Sequence, residues 1–213
     1  MLWAEQKPKK LDMLECYEVL YCLASTFRVE SYLEVGVREG ASLCCMVATE
    51  PEIVEFATQC LSNGMSTISD TLIKRVAEAF TPRNPNLQVH LFDNWSYYGC
   101  KGGRERIERL LKEGFSVGNF HIYDGDSKDT LPKFAGKVDL AFVDGDHTVE
   151  GARTDLENVV DHAKIIVFHD LFHPEWKGLD DVFMDFCKRH ELPYFIVGRR
   201  ALGTGVAFNI WNT

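Results

Sequence analysis

Several features that would assign this chain to a familiar class are missing from its 213 residues. No apolar run approaches the ~18 residues that a membrane span needs. The first segment, MLWAEQKPKK, contains charge but lacks the apolar stretch of a secretory signal. We therefore expect a cytoplasmic protein without a membrane partner.

An excess of positive charge is also missing. Lys and Arg total 23 against 32 Asp and Glu, which gives a formal net charge of −9. An acidic surface repels phosphate backbones, so a nucleic-acid partner is not expected. The same charge suits a cationic small-molecule ligand.

Paired cysteine motifs are absent. The seven Cys are irregularly spaced and form no CxxC pair, so we expect buried reduced thiols rather than a zinc site. The chain also contains no internal repeat, low-complexity segment or interdomain linker. These absences predict one domain over residues 1–213.

What the chain does contain is a regular alternation of strand and helix patterns. Apolar residues spaced three and four apart between Met13 and Phe27 predict a first helix. Strands are predicted at 31–35, 87–92, 119–123, 138–143, 164–168, 194–197 and 206–211, with further helices at 104–113, 148–161 and 179–186. Such alternation is typical of a Rossmann-like, doubly wound α/β fold with a mostly parallel sheet. The short glycine-containing loop between the last two strands predicts an antiparallel pair near the C-terminus.

One segment fits no strand–helix unit. Residues 50–86 contain a helix pattern from Thr71 to Phe80 and end in the turn-forming run TPRNPN. We interpret this segment as a helical insertion within the single domain. It would pack on the sheet, pack on another subunit or form a lid over the substrate. The second alternative leaves a homo-oligomer possible.

Acidic residues collect where the predicted strands end. In open parallel sheets, ligands bind outside the carboxyl ends of the strands. The acids at these ends are Glu34, Asp93, Asp124 or Asp126, Asp144, and Asp170. One or two would be ordinary turn residues. Five along one edge indicate a binding site.

The turn after the first strand separates two classes of cofactor. Its sequence, EVGVREG, contains Gly36 and Gly40 but no GxGxxG. A dinucleotide would place its pyrophosphate at the helix start, where Glu34 and Glu39 would repel it. S-adenosylmethionine has no phosphate and carries two positive groups, so carboxylates suit it. The turn favours S-adenosylmethionine, with an NAD-dependent oxidoreductase as the alternative.

Asp93 is the candidate ribose-binding acid, because two carboxylate oxygens can accept from both ribose hydroxyls. In such folds this acid lies ~20 residues beyond the glycines. Glu55 has that spacing but follows no predicted strand, whereas Asp93 does. The insertion would account for the greater distance to Asp93.

Four stretches carry a family resemblance over roughly residues 30–170. YLEVGVREG resembles the first motif of class I methyltransferases. DGDSKDTLPKF, FVDGDHTVEGARTDLENV and IIVFHD resemble later motifs of small-molecule O-methyltransferases, among them sugar and antibiotic-tailoring enzymes. The resemblance implies methyl transfer from S-adenosylmethionine to a small-molecule acceptor, through a hydroxyl of a sugar, phenol or natural product. A metal-independent N-methyltransferase and a cofactor-binding protein without turnover stay open.

The resemblance also implies roles for individual residues. The first loop would line the methionine part of the cofactor, Asp93 would hold the ribose, and the DGDS loop would meet the adenine. The implied cofactor-binding residues are Glu34, Gly36, Gly40, Asp93, Asp126, Ser127 and Asp144. Asp144 would stand near the methionine end or a metal.

A divalent cation is implied less directly. In metal-dependent relatives, an Asp matching Asp144 and two acids after the next strand bind the ion. Here the second pair is His169 and Asp170, which departs from that pattern. Oxygen ligands suit Mg²⁺, and the imidazole favours Mn²⁺, Fe²⁺ or Zn²⁺. Alternatively, His169 caps the strand and Asp170 binds backbone amides.

A hydroxyl acceptor also needs help to lose its proton, from a metal or a general base. His147 is the candidate catalytic base, with an unperturbed pKa near ~6.5, and Asp144 lies beside it in the motif. Alternatively, His147 is a loop residue bonded to Asp144 or Asp170. His173 and Trp176 follow the last motif and would border the substrate, unless Trp176 belongs to the core.

Overall fold

A computed structural model of the chain describes residues 12–38, 40–47, 84, 86–96, 103–198 and 202–209. The elements in chain order are α1 (Asp12–Thr26), β1 (Ser31–Val35), α2 (Ala41–Val47), β2 (Gln88–Asp93), α3 (Gly103–Arg109), β3 (Asn119–Asp124), α4 (Ser127–Thr130), β4 (Val138–Val143), α5 (Val149–Val160), β5 (Ala163–Leu171), α6 (Leu179–Arg189), β6 (Tyr194–Val197) and β7 (Gly203–Phe208). The predicted insertion, with its helix at 71–80, lies outside the described residues except for Asn84 and Asn86.

The seven strands form one sheet in the order β3-β2-β1-β4-β5-β7-β6. Strands β1 to β5 are parallel, and β7 runs antiparallel to both β5 and β6. The Rossmann-like fold and its antiparallel C-terminal pair are therefore confirmed. The strand order reverses between β1 and β4, and such a switch point is where an open α/β sheet leaves a crevice for a ligand.

Strand alternation divides the core into two layers. Tyr32 and Leu140 face a layer that includes Leu20 of α1 and Leu43 of α2. Neighbouring residues such as Leu33 face the opposite layer under α5 and α6. Each fully buried Leu contributes about 1.5–3 kcal/mol, so both layers stabilise the sheet whose edge carries the site. No helix in the described part of the chain is long and apolar enough to cross a membrane.

Some element boundaries differ from the prediction. The first helix ends at Thr26, so Phe27 falls outside its apolar face, is 50% exposed and packs beside Phe208. The predicted helix at 104–113 begins at Gly103 and widens into a π-helical turn over Leu110–Gly114. The last strand spans Gly203–Phe208 rather than 206–211, because its pairing with both neighbours begins at the glycine-containing loop.

The fifth strand is longer than predicted, and this matters for the site. It continues past Phe168 through His169 and Asp170 to Leu171. The two polar residues were predicted to follow the strand, because polarity normally marks a strand end. In the structure they lie within it, beside an irregularity in its pairing with β7.

Candidate active site

A cleft of about 270 Å³ lies at the carboxyl edge of the sheet, across the switch point. The loops after β1, β2, β3 and β4 form its walls. Its lining residues are Val35, Gly36, Arg38, Phe92, Asp93, Asn94, Ser96, Gly125, Asp126, Ser127, Asp144, Gly145, Asp146, His147 and Trp176. The structure therefore gathers at one cleft most of the side chains that the sequence analysis singled out.

Gly36 lies where the loops after β1 and β4 touch. Its φ is +84°, and a Cβ there would lie 2.2 Å from the carbonyl oxygen of Asp144. Asp144 N donates to the carbonyl of Val35 at 2.9 Å, which holds the two loops together. Glycine is required here by the close approach of the loop after β4 as well as by the backbone conformation.

Glu34 and Gly40 do not lie at the surface of the cleft, contrary to expectation. Strand alternation turns Glu34 into the core, where it is fully buried and accepts hydrogen bonds from Tyr32 (2.9 Å) and from Ser42. Burial raises the pKa of Glu34 to about 8, against the opposing effect of these bonds. Gly40 packs against Ile107 of α3. Both residues support the first loop from behind, and Glu39 lies outside the described residues.

Asp93 lines the cleft and also holds the first loop in place. Its Oδ2 accepts from the amides of Val37 (2.8 Å) and Arg38 (3.0 Å), and its Oδ1 accepts from Trp95 (2.6 Å). A carboxylate has about four lone-pair sites, so one is left for a ligand. The alternative acid, Glu55, lies outside the described residues.

The wall after β3 contains Asp126 and Ser127 at the start of the short helix α4, which the sequence analysis did not predict. Asp126 caps this helix by accepting from Lys128 N at 3.0 Å. Ser127 donates to a carboxylate that the sequence analysis missed, Asp155 of α5, at 2.6 Å. Asp155 is 0% exposed. Its only sequence signal was an acid at an inward position of an amphipathic helix.

Four polar side chains converge at the other end of the cleft. Asp144 Oδ1 lies 3.4 Å from both His147 Nε2 and His169 Nδ1. Asp170 lies 2.9 Å from His147 Nε2, through Oδ2, and 3.2 Å from His169 Nδ1, through Oδ1. Asp144, His169 and Asp170 each offer one ligand atom within 4.8 Å of the others, which makes them a candidate metal centre.

The backbone directs Asp170 towards this cluster. Its φ is +61°, in the left-handed region that non-glycine residues seldom adopt, and the pairing of β5 with β7 shifts between Phe168 and Leu171. Bulges of this kind redirect side chains next to functional sites. Consecutive residues of a regular strand face opposite sides of the sheet, whereas His169 and Asp170 approach the same point.

Charge balance in the cluster affects the hypothesis that His147 is a base. Burial opposes the charged imidazole, but the carboxylates of Asp144 and Asp170 outweigh burial and raise the pKa of His147 to about 9. The protonated form therefore prevails at neutral pH in the protein alone. In this form His147 pairs electrostatically with Asp144 and Asp170.

Several buried polar atoms of the cluster have no hydrogen-bond partner among the residues that the structure describes, despite their close approach. They are Asp144 Oδ1, His147 Nε2 and both ring nitrogens of His169. A buried polar atom without a partner is costly and calls for an explanation such as an ion. The two carboxylates and one imidazole of Asp144, Asp170 and His169 are a donor set that fits Mn²⁺, Fe²⁺ or Zn²⁺ better than Mg²⁺.

Trp176 borders the cleft beside this cluster, and His173 lies behind it. The Trp176 ring is stacked between the imidazoles of His147 and His173, at centroid distances of 3.8 and 3.9 Å. His173 Nδ1 accepts from the backbone amides of Glu175 and Trp176 at 3.1 and 3.3 Å. Trp176 also packs partly against the core. That it borders the substrate stays a prediction.

Arg38 is a further cleft residue that the sequence analysis did not single out. It lies in the first loop with a left-handed φ of +48°, and its backbone amide is bonded to Asp93. It gives the largely acidic lining a guanidinium group. Its position inside the motif VREG was the available signal.

Comparison with known families identifies the class of protein to which this fold and cleft belong. A family model described as a methyltransferase domain matches residues 33–171, and the chain belongs to that family. This sets aside the NAD-dependent oxidoreductase. Comparison with curated proteins gives no match.

Solved methyltransferase structures share the fold. The apo structure of CalS11, a TDP-rhamnose 3′-O-methyltransferase in calicheamicin biosynthesis, is 19% identical with a TM-score of 0.58, over 93% of this chain and 80% of that one. TomG from Streptomyces achromogenes, an O-methyltransferase of tomaymycin synthesis in complex with S-adenosylmethionine, is 13% identical with a TM-score of 0.54, over 97% and 92%. An O-methyltransferase from Bacillus cereus, in complex with S-adenosylhomocysteine, is 11% identical with a TM-score of 0.58, over 97% and 93%.

Proposed function

We propose that this protein transfers a methyl group from S-adenosylmethionine to a hydroxyl of a small molecule, with a divalent cation at Asp144, His169 and Asp170. The observation that carries the proposal is the position of that buried cluster at one end of the cleft. Family membership, and the cofactors bound to similar folds in TomG and the Bacillus cereus enzyme, support S-adenosylmethionine as the methyl donor.

The proposed cofactor lies along the cleft. Its adenine contacts Asp126 and Ser127, one ribose hydroxyl donates to the remaining acceptor site of Asp93, and its methionine part lies over Gly36 beside Asp144. Glu34 and Gly40 support this arrangement from behind the loop rather than by contact. The acidic lining suits the positive sulfonium and ammonium groups.

Methyl transfer is an in-line displacement. The acceptor oxygen forms a bond to the methyl carbon as the bond from carbon to sulfur breaks, and S-adenosylhomocysteine leaves. The protein mainly aligns the two reactants. The acceptor hydroxyl must also lose its proton, and a cation bound at the cluster would lower the pKa of that hydroxyl.

His147 and Trp176 lie where the acceptor would meet the cluster. In the protein alone, the imidazolium of His147 pairs with Asp144 and Asp170. If Asp144 and Asp170 hold a divalent cation, their negative charge would no longer stabilise the imidazolium, and His147 would return to the neutral form. In that form His147 can take a proton from the acceptor, while Trp176 and His173 hold the ring in place.

The decisive experiment is a transfer assay with methyl-labelled S-adenosylmethionine and a panel of sugars, phenols and amines, with and without chelator. We expect labelled methyl ethers that disappear with chelator and in Asp170→Asn. Labelled amines formed with chelator present would support the metal-independent N-methyltransferase instead. If S-adenosylhomocysteine binds and no acceptor is labelled, a cofactor-binding protein without turnover is favoured.

A further inference from the structure

A buried carboxylate lies behind the β3-side wall of the cleft, and the proposed reaction does not use it. Asp155 projects from α5, is fully buried, and accepts from Ser127 Oγ at 2.6 Å and from Asp146 N at 3.4 Å. A Cβ on Gly145 would lie only 2.9 Å from Asp155 Oδ2. Asp155 thus joins the loops after β3 and β4 in a fixed position.

The bond to Asp155 determines what Ser127 can offer to a ligand. A hydroxyl has one proton and two acceptor lone pairs, whereas an ionised carboxylate only accepts. Burial raises the pKa of Asp155 to about 6, against the hydrogen bonds from Ser127 and Asp146 that lower it. The carboxylate is therefore ionised at neutral pH, and the Ser127 proton is committed to it. Towards the cleft, the Ser127 hydroxyl is left as an acceptor.

An acceptor at this position distinguishes two purine bases of nearly the same shape. Adenine carries an exocyclic amine, which donates, whereas hypoxanthine carries a carbonyl oxygen there, which only accepts. A site built to hydrogen-bond one group rejects its analogue because polar atoms are left unpaired. Asp126, the neighbouring residue, caps α4 by accepting from the Lys128 amide through Oδ1, so that its carboxylate is directed towards the helix start.

We propose that Asp155 is a positioning residue that makes Ser127 an acceptor for the exocyclic amine of adenine and so selects an adenine over a hypoxanthine cofactor. This inference rests on the proposed function, which assigns Ser127 to the adenine. It adds a residue that contacts no ligand but sets the hydrogen-bonding polarity of one that does.

The test is calorimetric binding of S-adenosylhomocysteine and S-inosylhomocysteine, above neutral pH, to wild type, Ser127→Ala and Asp155→Asn. We expect wild type to prefer S-adenosylhomocysteine about tenfold or more. Ser127→Ala should bring the ratio of the two dissociation constants close to one. Asp155→Asn should lower it as well, because an amide can donate to Ser127 and release the hydroxyl proton towards the cleft. Asp161→Asn, at the exposed end of the same helix, should retain the wild-type ratio.

The ratio separates positioning from general structural support. If Asp155 merely supports the wall, Asp155→Asn would weaken the binding of both ligands equally. That result would overturn the proposal, as would a wild-type ratio near one. If Asp155→Asn does not fold, Ser127→Ala decides by the same criterion. Wild type that binds neither ligand would contradict the proposed cofactor site and this inference with it, whereas binding without preference contradicts the inference alone.

Discussion

His169 Nδ1 and Asp170 Oδ1 lie 3.2 Å apart although the two residues are consecutive in one strand. In a regular strand their side chains would face opposite sides of the sheet. The left-handed backbone of Asp170 and the shifted pairing of β5 bring them together. Strained backbone persists where the surrounding structure enforces it, often at a functional site.

The first prediction concerns this pair. Asp170→Asn should weaken Mn²⁺ binding by at least ~10–100-fold, the loss typical of even an outer-shell change, because it removes a charged ligand and preserves the shape. Calorimetric titration with Mn²⁺ measures the effect, with Asp185→Asn on α6 as the matched exposed control. Binding of S-adenosylhomocysteine should change little. Equal Mn²⁺ affinity in Asp170→Asn and wild type would remove Asp170 from the ligand set.

The second prediction concerns the contact between the first loop and the loop after β4. Gly36→Ala should reduce the free energy of unfolding by about 1–3 kcal/mol, because its Cβ would lie 2.2 Å from the Asp144 carbonyl oxygen. Binding of S-adenosylhomocysteine should fall with it. Gly118→Ala is the control, since a Cβ there meets nothing within 4 Å. Urea denaturation compares the two, and equal stabilities would show that the loops separate freely.

The third prediction concerns Asp93. Asp93→Ala should weaken S-adenosylhomocysteine by roughly 1.5–3 kcal/mol, the range for hydrogen bonds to a charged group. It should also lower the melting temperature, because the amides of Val37 and Arg38 lose their acceptor. Glu55→Ala should affect neither property. Should Glu55→Ala cause the larger loss of affinity, Asp93 would be a loop residue only.

The fourth prediction uses the buried Glu34. Its pKa is raised by burial from 4.5 to about 8, so the folded state retains a proton that the unfolded chain releases. Stability from this group is present below pH 4.5 and lost as the pH rises towards 8. The stability of Glu34→Gln relative to wild type should therefore rise by roughly 1.4 kcal/mol per pH unit at most across that window. Parallel pH profiles from urea denaturation would contradict a protonated, buried Glu34.

Much of the architecture and the edge of the sheet that binds ligand were predictable from the sequence. Apolar strands followed by polar turns and helices predict the succession of βα units along the chain. Parallel strands then bring their carboxyl ends together at one edge of the sheet. That is why Asp93, Asp126 and Asp144 were correctly expected at a common edge. Whether a given acid lines the cleft or supports it from the core depends on tertiary packing, which a linear pattern does not contain.

The site details that escaped prediction depend on packing. Glu34 was expected in the cleft because it precedes the glycine turn, but strand alternation buries it behind the wall. Asp155 is an acid at an inward position of an amphipathic helix, but nothing near it in the sequence indicates its partner Ser127, which lies 28 residues away. The approach of His169 to Asp170 depends on an irregular pairing with β7, which neither residue encodes by itself.

In the proposed site, one cleft holds the cofactor with its reacting end beside the cation. Adenine would lie at the end of β3, and the cluster begins at β4, three strand positions away at ~4.8 Å each. The most direct measurement is proton NMR of S-adenosylhomocysteine exchanging on the protein while paramagnetic Mn²⁺ is added, since broadening falls steeply with distance from the ion. This arrangement predicts strong broadening of the protons next to sulfur and weaker broadening of the adenine protons, both abolished in Asp170→Asn. Stronger broadening of the adenine protons, or none while both ligands are bound, would contradict it.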